Sequence, residues 1–307
     1  MEDSQNKFTG FIPTGVGLAI IATITGSILF SGKGILAKAG MAHGASAMEM
    51  LALRMAFAAP IYAAVLAWSL TRRKVSFRAL TKAAGLGLLG CYVSPTLNFY
   101  GLSTVSASLE RVLIYACPAL IILIAFLKGR ERINRFTLVS LLICYVGVAI
   151  SCFGRDGSNA TADPLGVCSI LLGCVTWSFF VVESAQMQKG MGTLVFTSTA
   201  MLSSALACGI QSILSGHLQQ FTHPPAGVLP IAIILATLCT AAPSYLTSFG
   251  LRILGPGRSA ALTMFGPLLT PLMAAVILGE HMSGPQVSGF IIVLSGGILL
   301  SRRNLEV

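Results

Sequence analysis

The chain has 307 residues, of which 55% are hydrophobic and 10% charged, with a mean hydropathy of +0.84 and a formal net charge of +10. Soluble proteins carry about 25% charged residues, and this chain has too little polar surface to cover a soluble globule of its length. The composition therefore excludes a soluble enzyme, a disordered tail and a secreted disulfide module, and it indicates a protein of the lipid bilayer.

Long apolar segments predict the membrane helices in chain order. A bilayer core of about 30 Å requires roughly 20 apolar residues per helix. The longest uncharged run, 190–251, divides into two helices at its polar, proline-rich middle, 216–225. The run 55–71 extends back to about Ser46 if Glu49 and Arg54 lie inside the membrane. The sequence thus predicts an all-α polytopic membrane protein with ten transmembrane helices, near 13–36, 46–69, 83–100, 106–127, 136–153, 165–185, 193–214, 228–249, 257–278 and 284–301.

The cations of the predicted loops orient this helix bundle. With the N-terminus inside, the outer loops hold only Lys38 and Arg155, whereas the inner loops hold most of the other lysines and arginines. Cytoplasmic loops carry such an excess of positive charge. We therefore expect a multi-pass protein of the plasma (inner) membrane with both termini in the cytoplasm. The net charge reflects this topology, and no nucleic-acid partner is expected.

Motifs for catalysis or for metal binding are missing. The eight cysteines fall within or at the ends of predicted spans without a CxxC pair, which is typical of small packing residues. The motifs HExxH, GxSxG and GxxxxGK[ST] do not occur, so zinc proteolysis, serine hydrolysis and ATP-driven pumping have no support. We expect no cofactor, no metal and no enzymatic activity. The alternative is a membrane-embedded enzyme acting on lipid-linked substrates, for which Glu110 lacks a convincing partner at motif spacing.

An internal repeat divides the chain into halves. Residues 101–131 align without gaps with 250–280, and four pairs keep the same offset of 149 residues: Gly101 and Gly250, Pro118 and Pro267, Glu131 and Glu280, Gly147 and Gly296. Because each half holds five predicted helices, the second half enters the membrane from the opposite side. Such inverted repeats are a signature of secondary transporters. The predicted organisation is a cytoplasmic segment (1–12), a first repeat (13–153), an outer linker (154–164), a second repeat (165–302) and a cytoplasmic tail (303–307).

The repeat landmarks also carry a family resemblance. Each copy has Gly-Leu, then small residues, then a proline and a glycine-glutamate pair, as in Gly101-Leu102, Pro118 and Gly129-x-Glu131. The chain resembles the drug/metabolite transporter superfamily, specifically its EamA-type members. The resemblance implies ten-helix carriers with a central cavity that mostly export amino acids, other metabolites or drugs. The second copy departs from the first at Arg252 and at 255–257.

Ionisable residues within predicted spans are candidates for the solute site, since each costs about 2.5–3.5 kcal/mol to insert. Arg54 lies mid-depth in the second helix, and Glu110 and Arg111 begin the fourth. Arg54 could form a structural pair with Glu110, or it could bind a substrate carboxylate through its fork of donors. Glu110 could carry a proton, because burial raises the pKa of a carboxyl group. Lys33 is expected to reach water at the outer surface.

Prolines add a second indication of where the cavity lies. They concentrate in the third, fourth, eighth and ninth predicted helices, where each frees a carbonyl that a cavity could satisfy. Polar and aromatic neighbours on these helices are further candidates, namely Asn98, Tyr100, Tyr115, Ser244 and Tyr245. Trp177 is either a cap or cation–π surface of the cavity, or simple core.

The residues and the resemblance together predict a secondary transporter. We expect it to move a small organic solute, outward, by alternating access. A proton gradient, exchange and the solute's own gradient are all open as its energy source. Its expected partners are the solute and the lipid bilayer, and its oligomeric state is open.

Overall fold

The computed structural model describes residues 14–45, 47–102, 113–114, 116–130, 135–153, 163–214, 227–263 and 266, together with 284–285, 287–289, 291–292 and 295–296. Within these ranges the chain is helical apart from short connections, and no strand occurs there. The helices are α1 (Thr14–Ala42), α2 (Ala47–Arg72), α3 (Phe77–Gly87), α4 (Ser94–Leu102), α5 (Ala116–Leu127), α6 (Arg135–Phe153), α7 (Pro164–Met191), α8 (Thr193–Leu214), α9 (Val228–Ala236), α10 (Ala242–Leu254) and α11 (Pro256–Thr263). π-Helical turns join α3 to α4 (Leu88–Val93) and α9 to α10 (Thr237–Ala241).

Length and composition make this bundle an integral membrane protein. Five helical segments of the described chain are long and apolar enough to cross a bilayer: Gly15–Lys33, Glu49–Arg72, Pro164–Met191, Thr193–Leu214 and Val228–Leu254. Large apolar side chains such as Leu18, Leu165 and Leu206 lie exposed on these helices. A patch of this kind is costly in water and favourable in lipid. Parts of the fourth, ninth and tenth predicted helices lie outside the described residues, so the count of ten stays a prediction.

Local sequence determines where α7 begins and ends. The carboxylate of Asp163 accepts hydrogen bonds from the backbone N–H groups of Leu165 and Gly166, both at 3.3 Å, and Pro164 occupies the first turn, where its missing N–H has no cost. The helix ends before Gly192, whose φ of +88° suits a residue without a side chain. α7 thus extends beyond its predicted end at residue 185.

The two π-helical turns lie just before prolines that an undistorted helix would not tolerate. Pro95 and Pro243 have no N–H to donate, so the carbonyls of Cys91 and Cys239, four residues earlier, lose their regular helical partners. In the first case, the Ser204 hydroxyl of α8 donates to the carbonyl oxygen of Cys91 at 2.8 Å. A freed carbonyl inside a membrane protein is thereby satisfied by a neighbouring helix.

One helix contact between the two predicted repeats occurs twice, with the repeats exchanged. α1 packs along α10, and α7 packs along α4. A Cβ atom added at Gly26 would meet Pro243 and Thr247, whereas one added at Gly173 would meet Ser94 and Asn98. Pro243 and Thr247 follow Ser94 and Asn98 by 149 residues, and the second π-helical turn starts 149 residues after the first. α2 and α8 pack against each other between these pairs.

Candidate functional site

A cavity of about 490 Å³ lies between α1, α2, α7, α8 and α10, a size typical of small-molecule sites. We call it the Arg54 cavity. Aromatic side chains form part of its wall, and the rings of Trp177 and Phe180 lie 5.3 Å apart. The remaining wall is rich in hydroxyl groups, contributed by Ser27, Ser31, Ser184, Thr197, Thr240, Ser244, Thr247, Ser248, Ser259 and Thr263.

Arg54 is the buried charge of this cavity. It lies in the first half of α2 between the buried residues Leu53 and Met55, and it is 8% exposed. Its Nε has no hydrogen-bond partner, and its guanidinium forms no ion pair with any residue that the structure describes. A buried charge without a partner is strongly unfavourable. The guanidinium is therefore poised to bind an anion that enters the cavity.

Lys33 of α1 lines the same cavity as Arg54. The described residues that form the wall include no aspartate or glutamate. Two cations in a low-dielectric cleft of this kind create a positive potential that concentrates anions. The charge of the Arg54 cavity thus complements an acidic solute.

Hydrogen bonds fix the hydroxyl groups around the cavity. The Tyr62 hydroxyl of α2 lies 2.8 Å from the Ser244 hydroxyl of α10, and Ser27 of α1 donates to the Thr263 carbonyl at 2.8 Å. Ser31 donates to the carbonyl of Gly266. The Thr197 hydroxyl, on a residue that is 3% exposed, has no partner in the described chain. The buried Thr197 hydroxyl is thus available to a ligand that enters the cavity.

The structure separates the residues that the sequence singled out. Arg54, Trp177 and Ser244 line the Arg54 cavity. Tyr245 lies on another face of α10, where its hydroxyl is 2.7 Å from that of Ser198 and its ring centroid 5.6 Å from that of Tyr62.

Two further sequence candidates, Asn98 and Tyr100, are not among the wall residues of the Arg54 cavity. Asn98 lies close to Gly173, where α4 packs on α7, and Tyr100 is 56% exposed on α4. Glu110, Arg111 and Tyr115 lie outside the described residues. The predicted pair between Arg54 and Glu110 therefore stays a prediction.

Sequence reasoning missed Lys33 and the contribution of α1 and α11. Lys33 is exposed, in line with the expectation that it reaches water, and the structure also places it on the cavity wall. Its position directly after the uncharged run 8–32, within the first predicted helix, was the available signal. Serines and threonines are common in membrane helices, so nothing in their spacing separated Ser27, Ser31 and Thr263 from packing residues.

Comparisons with known proteins agree with this architecture. The EamA-like transporter family matches twice, at residues 17–153 and 164–302. An uncharacterised transporter of Bacillus subtilis (strain 168) is 26% identical over 277 residues, 88% of each chain. A WAT1-related protein of Arabidopsis thaliana is 25% identical over 304 residues, 87% of this chain and 74% of the relative.

A solved structure, titled only as the crystal structure of a protein, has a TM-score of 0.75 at 21% identity and covers 94% of this chain and 99% of its own. That likeness shows a shared fold. The two family matches together span most of the chain, and they identify its family. The chain belongs to the EamA-like transporter family.

Proposed function

We propose that this protein is a secondary transporter that moves a small organic acid across the membrane by alternating access around the Arg54 cavity. The observation that carries the proposal is that two cations, Arg54 and Lys33, line one cavity whose described wall residues include no carboxylate. A guanidinium binds a carboxylate through two parallel hydrogen bonds. Solute binding thereby supplies the partner that the Arg54 Nε lacks.

The rest of the wall suits the remainder of such a solute. Trp177, Phe180 and Phe196 offer flat apolar surfaces, and centroid distances of 5.3 and 6.1 Å link their rings into one cluster. Thr197 and Ser244 add hydroxyl groups close to these rings in the wall. An aromatic or branched carboxylic acid satisfies both parts of the cavity. An amine would place a third cation beside Lys33 and Arg54.

We propose that alternating access arises from two inverted five-helix repeats. The double family match, the common offset of 149 residues and the recurrence of the α1–α10 contact as the α7–α4 contact support this arrangement. A site between two equivalent halves can open to either side when one half rocks against the other. We propose outward transport with cytoplasmic termini, from the family resemblance and the basic inner loops.

The remaining sequence candidates have proposed roles in the same cycle. Glu110, Arg111 and Tyr115 are proposed to gate the path or to carry a proton at the start of the fourth helix. We propose that Asn98 and Tyr100 of α4 and Tyr245 of α10 act in the movement of these two helices during transport. None of the three lines the described cavity. These roles rest on the residue types and their predicted depth.

A counterflow assay with three solutes of equal ring size tests the proposal. Purified protein is reconstituted into liposomes preloaded with unlabelled phenylacetate, phenylacetamide or phenethylamine, and entry of the labelled compound is followed against protein-free liposomes. We expect saturable, protein-dependent accumulation of the acid and little of the amine. Accumulation of the amine in preference to the acid would overturn the anion assignment. Absence of counterflow with a broad panel of organic acids, by protein of native helical content, would overturn the transport function.

A further inference from the structure

A second pocket, of about 590 Å³, opens at the end of the bundle where α2 ends and α8 begins. Arg72, Arg73 and Arg252 contribute to its wall, and we call it the arginine pocket. It shares no lining residue with the Arg54 cavity. α10 separates the two, because Ser244 and Thr247 line the Arg54 cavity and Phe249 and Arg252 line the arginine pocket.

The charge of the arginine pocket is uncompensated in the described chain. Its wall includes no aspartate or glutamate, and its arginines form no ion pair with the residues placed by the structure. The Arg72 guanidinium lies over the Trp68 ring, 4.5 Å from the centroid, and this contact leaves its charge in place. Arg72 and Arg73 are exposed, so water screens part of the repulsion among the three guanidinium groups, and an anion between them would remove more of it.

The start of α8 adds backbone donors to the same pocket. Thr193, Leu194 and Val195 line it, and the first N–H groups of a helix have no intrahelical partner. The preceding residue, Gly192, has no side chain with which to cap them. A Cβ atom placed on Gly192 would lie 2.5 Å from Nη1 of Arg73, so this guanidinium lies directly beside the helix start. The 22-residue helix also directs the positive end of its dipole here.

Two buried hydroxyl groups provide an independent indication of a ligand. Ser69 and Thr193 belong to the pocket wall and are 6% and 7% exposed. Neither hydroxyl oxygen has a hydrogen-bond partner among the residues described. Buried polar groups in native proteins are nearly always satisfied, and a bound group is one way to satisfy them. Both residues line the same pocket as the three arginines, as a phosphate site requires.

We propose that the arginine pocket binds a phosphate group. A phosphate offers several acceptor oxygens to donors that converge from α2, α8 and α10, whereas a carboxylate offers two. The half-exposed Trp68 and the apolar side chains of Leu246 and Phe249 border the same pocket. The phosphate can therefore belong to an anionic phospholipid, whose acyl chains cover these apolar groups, or to a soluble phosphate compound. Basic pockets between membrane helices on the cytoplasmic side bind acidic lipid headgroups in this way.

A thermal-unfolding titration in an uncharged detergent tests the proposal and distinguishes the two sources. The ligands are inorganic phosphate, dioctanoyl phosphatidylglycerol and dioctanoyl phosphatidylcholine, whose choline offsets the phosphate charge. Arg73→Gln and Arg252→Gln change the pocket. Lys74→Gln and Arg78→Gln are matched controls, because these exposed cations lie at the same end of the bundle and outside the pocket.

We expect phosphatidylglycerol, inorganic phosphate or both to raise the unfolding temperature saturably. Each pocket variant should lose apparent affinity by about tenfold or more, and the control variants should lose none. A response to the lipid alone identifies a headgroup, and a response to both identifies a general phosphate site. Equal losses in the control variants would show that the anions bind diffuse surface charge and not the pocket. No response to either anion would also overturn the proposal. Neither outcome depends on transport, which the counterflow assay measures separately.

Discussion

Lys33 of α1 and Arg54 of α2 lie on the wall of one cavity, although neither has a carboxylate beside it in the described chain. Arg54 is buried, and a second cation on the same cavity wall adds to the free-energy cost of the empty cavity. An acidic solute removes this cost on binding. We therefore expect affinity for the proposed acidic solute to depend on the charge at both positions.

Lys33 should tune solute affinity without being required for transport. In Lys33→Gln, we expect KM for the acid to rise about fivefold, since one charge contact in a hydrated site contributes about 1 kcal/mol. In Lys33→Glu, the new carboxylate would pair with Arg54 and compete with the solute, so uptake should be nearly lost. Counterflow rates over a range of solute concentrations check both. Equal KM values for Lys33→Glu and wild type would show that Lys33 does not face the solute.

Close packing of α3 on α8 should make Gly87 intolerant of a side chain. A Cβ atom there would lie 2.3 Å from the carbonyl oxygen of Ala200, a backbone atom that cannot rotate away. We expect Gly87→Ala to lower the free energy of unfolding by about 1–3 kcal/mol. Gly85→Ala is the matched control, since its Cβ would meet nothing within 4 Å and the change should stabilise the helix by about 0.5–1 kcal/mol. Unfolding in mixed detergent micelles measures both, and equal values would contradict the packing.

The Tyr62 hydroxyl should contribute measurably to stability. It is fully buried and lies 2.8 Å from the Ser244 hydroxyl and 3.3 Å from the Thr240 carbonyl oxygen. We expect Tyr62→Phe to cost about 0.5–1.5 kcal/mol of unfolding free energy. Tyr92→Phe provides the comparison, because the Tyr92 hydroxyl has no hydrogen bond within the described ranges. An unchanged free energy of unfolding in Tyr62→Phe would show that this hydrogen bond between α2 and α10 is not formed.

Glu183 of α7 should hold the loop after α5 through two ion pairs that contribute unequally to stability. Its carboxylate pairs with Lys128 and, at 3.1 Å, with Arg130, whose Nη1 also donates to the Val182 carbonyl at 2.8 Å. All three charges are partly exposed, so a double-mutant cycle with Lys128 should give a coupling of about 1 kcal/mol or less. Arg130→Gln should cost more than Lys128→Gln. Added salt should shrink the coupling, and a salt-independent value would argue against an ion pair.

Hydrophobic length and helix-breaking residues allowed much of the fold to be predicted. The bounds of α2 and α8 lie close to their predicted spans, and the all-helical membrane class is confirmed. The end of α7 was misplaced because Glu183 and Lys189 suggested a water boundary. The helix continues instead, since Lys128 and Arg130 neutralise Glu183 and Gly192 supplies the true stop.

The site was predicted in part, because single residues can be placed by depth but not by direction. Arg54, Trp177 and Ser244 line the Arg54 cavity, and their contact with a solute stays a prediction. Lys33 is exposed as expected, but its place on the cavity wall was not predicted, since a one-dimensional pattern does not show which way a long side chain points. The arginine pocket escaped notice because Arg73 and Arg252 are distant in sequence, and each alone is explained by membrane topology.

Discrimination between an acid and its amide in the Arg54 variant tests the account most directly. Phenylacetate and phenylacetamide are compared in proteoliposomes that contain wild type, Arg54→Gln or, as a matched control, Arg78→Gln. We predict that wild type and Arg78→Gln prefer the acid by about tenfold or more, as a charge-assisted bidentate contact requires, and that Arg54→Gln loses this preference. If Arg54→Gln takes up the acid at the wild-type rate and keeps the wild-type preference for acid over amide, the assignment of the cavity as the solute site is contradicted.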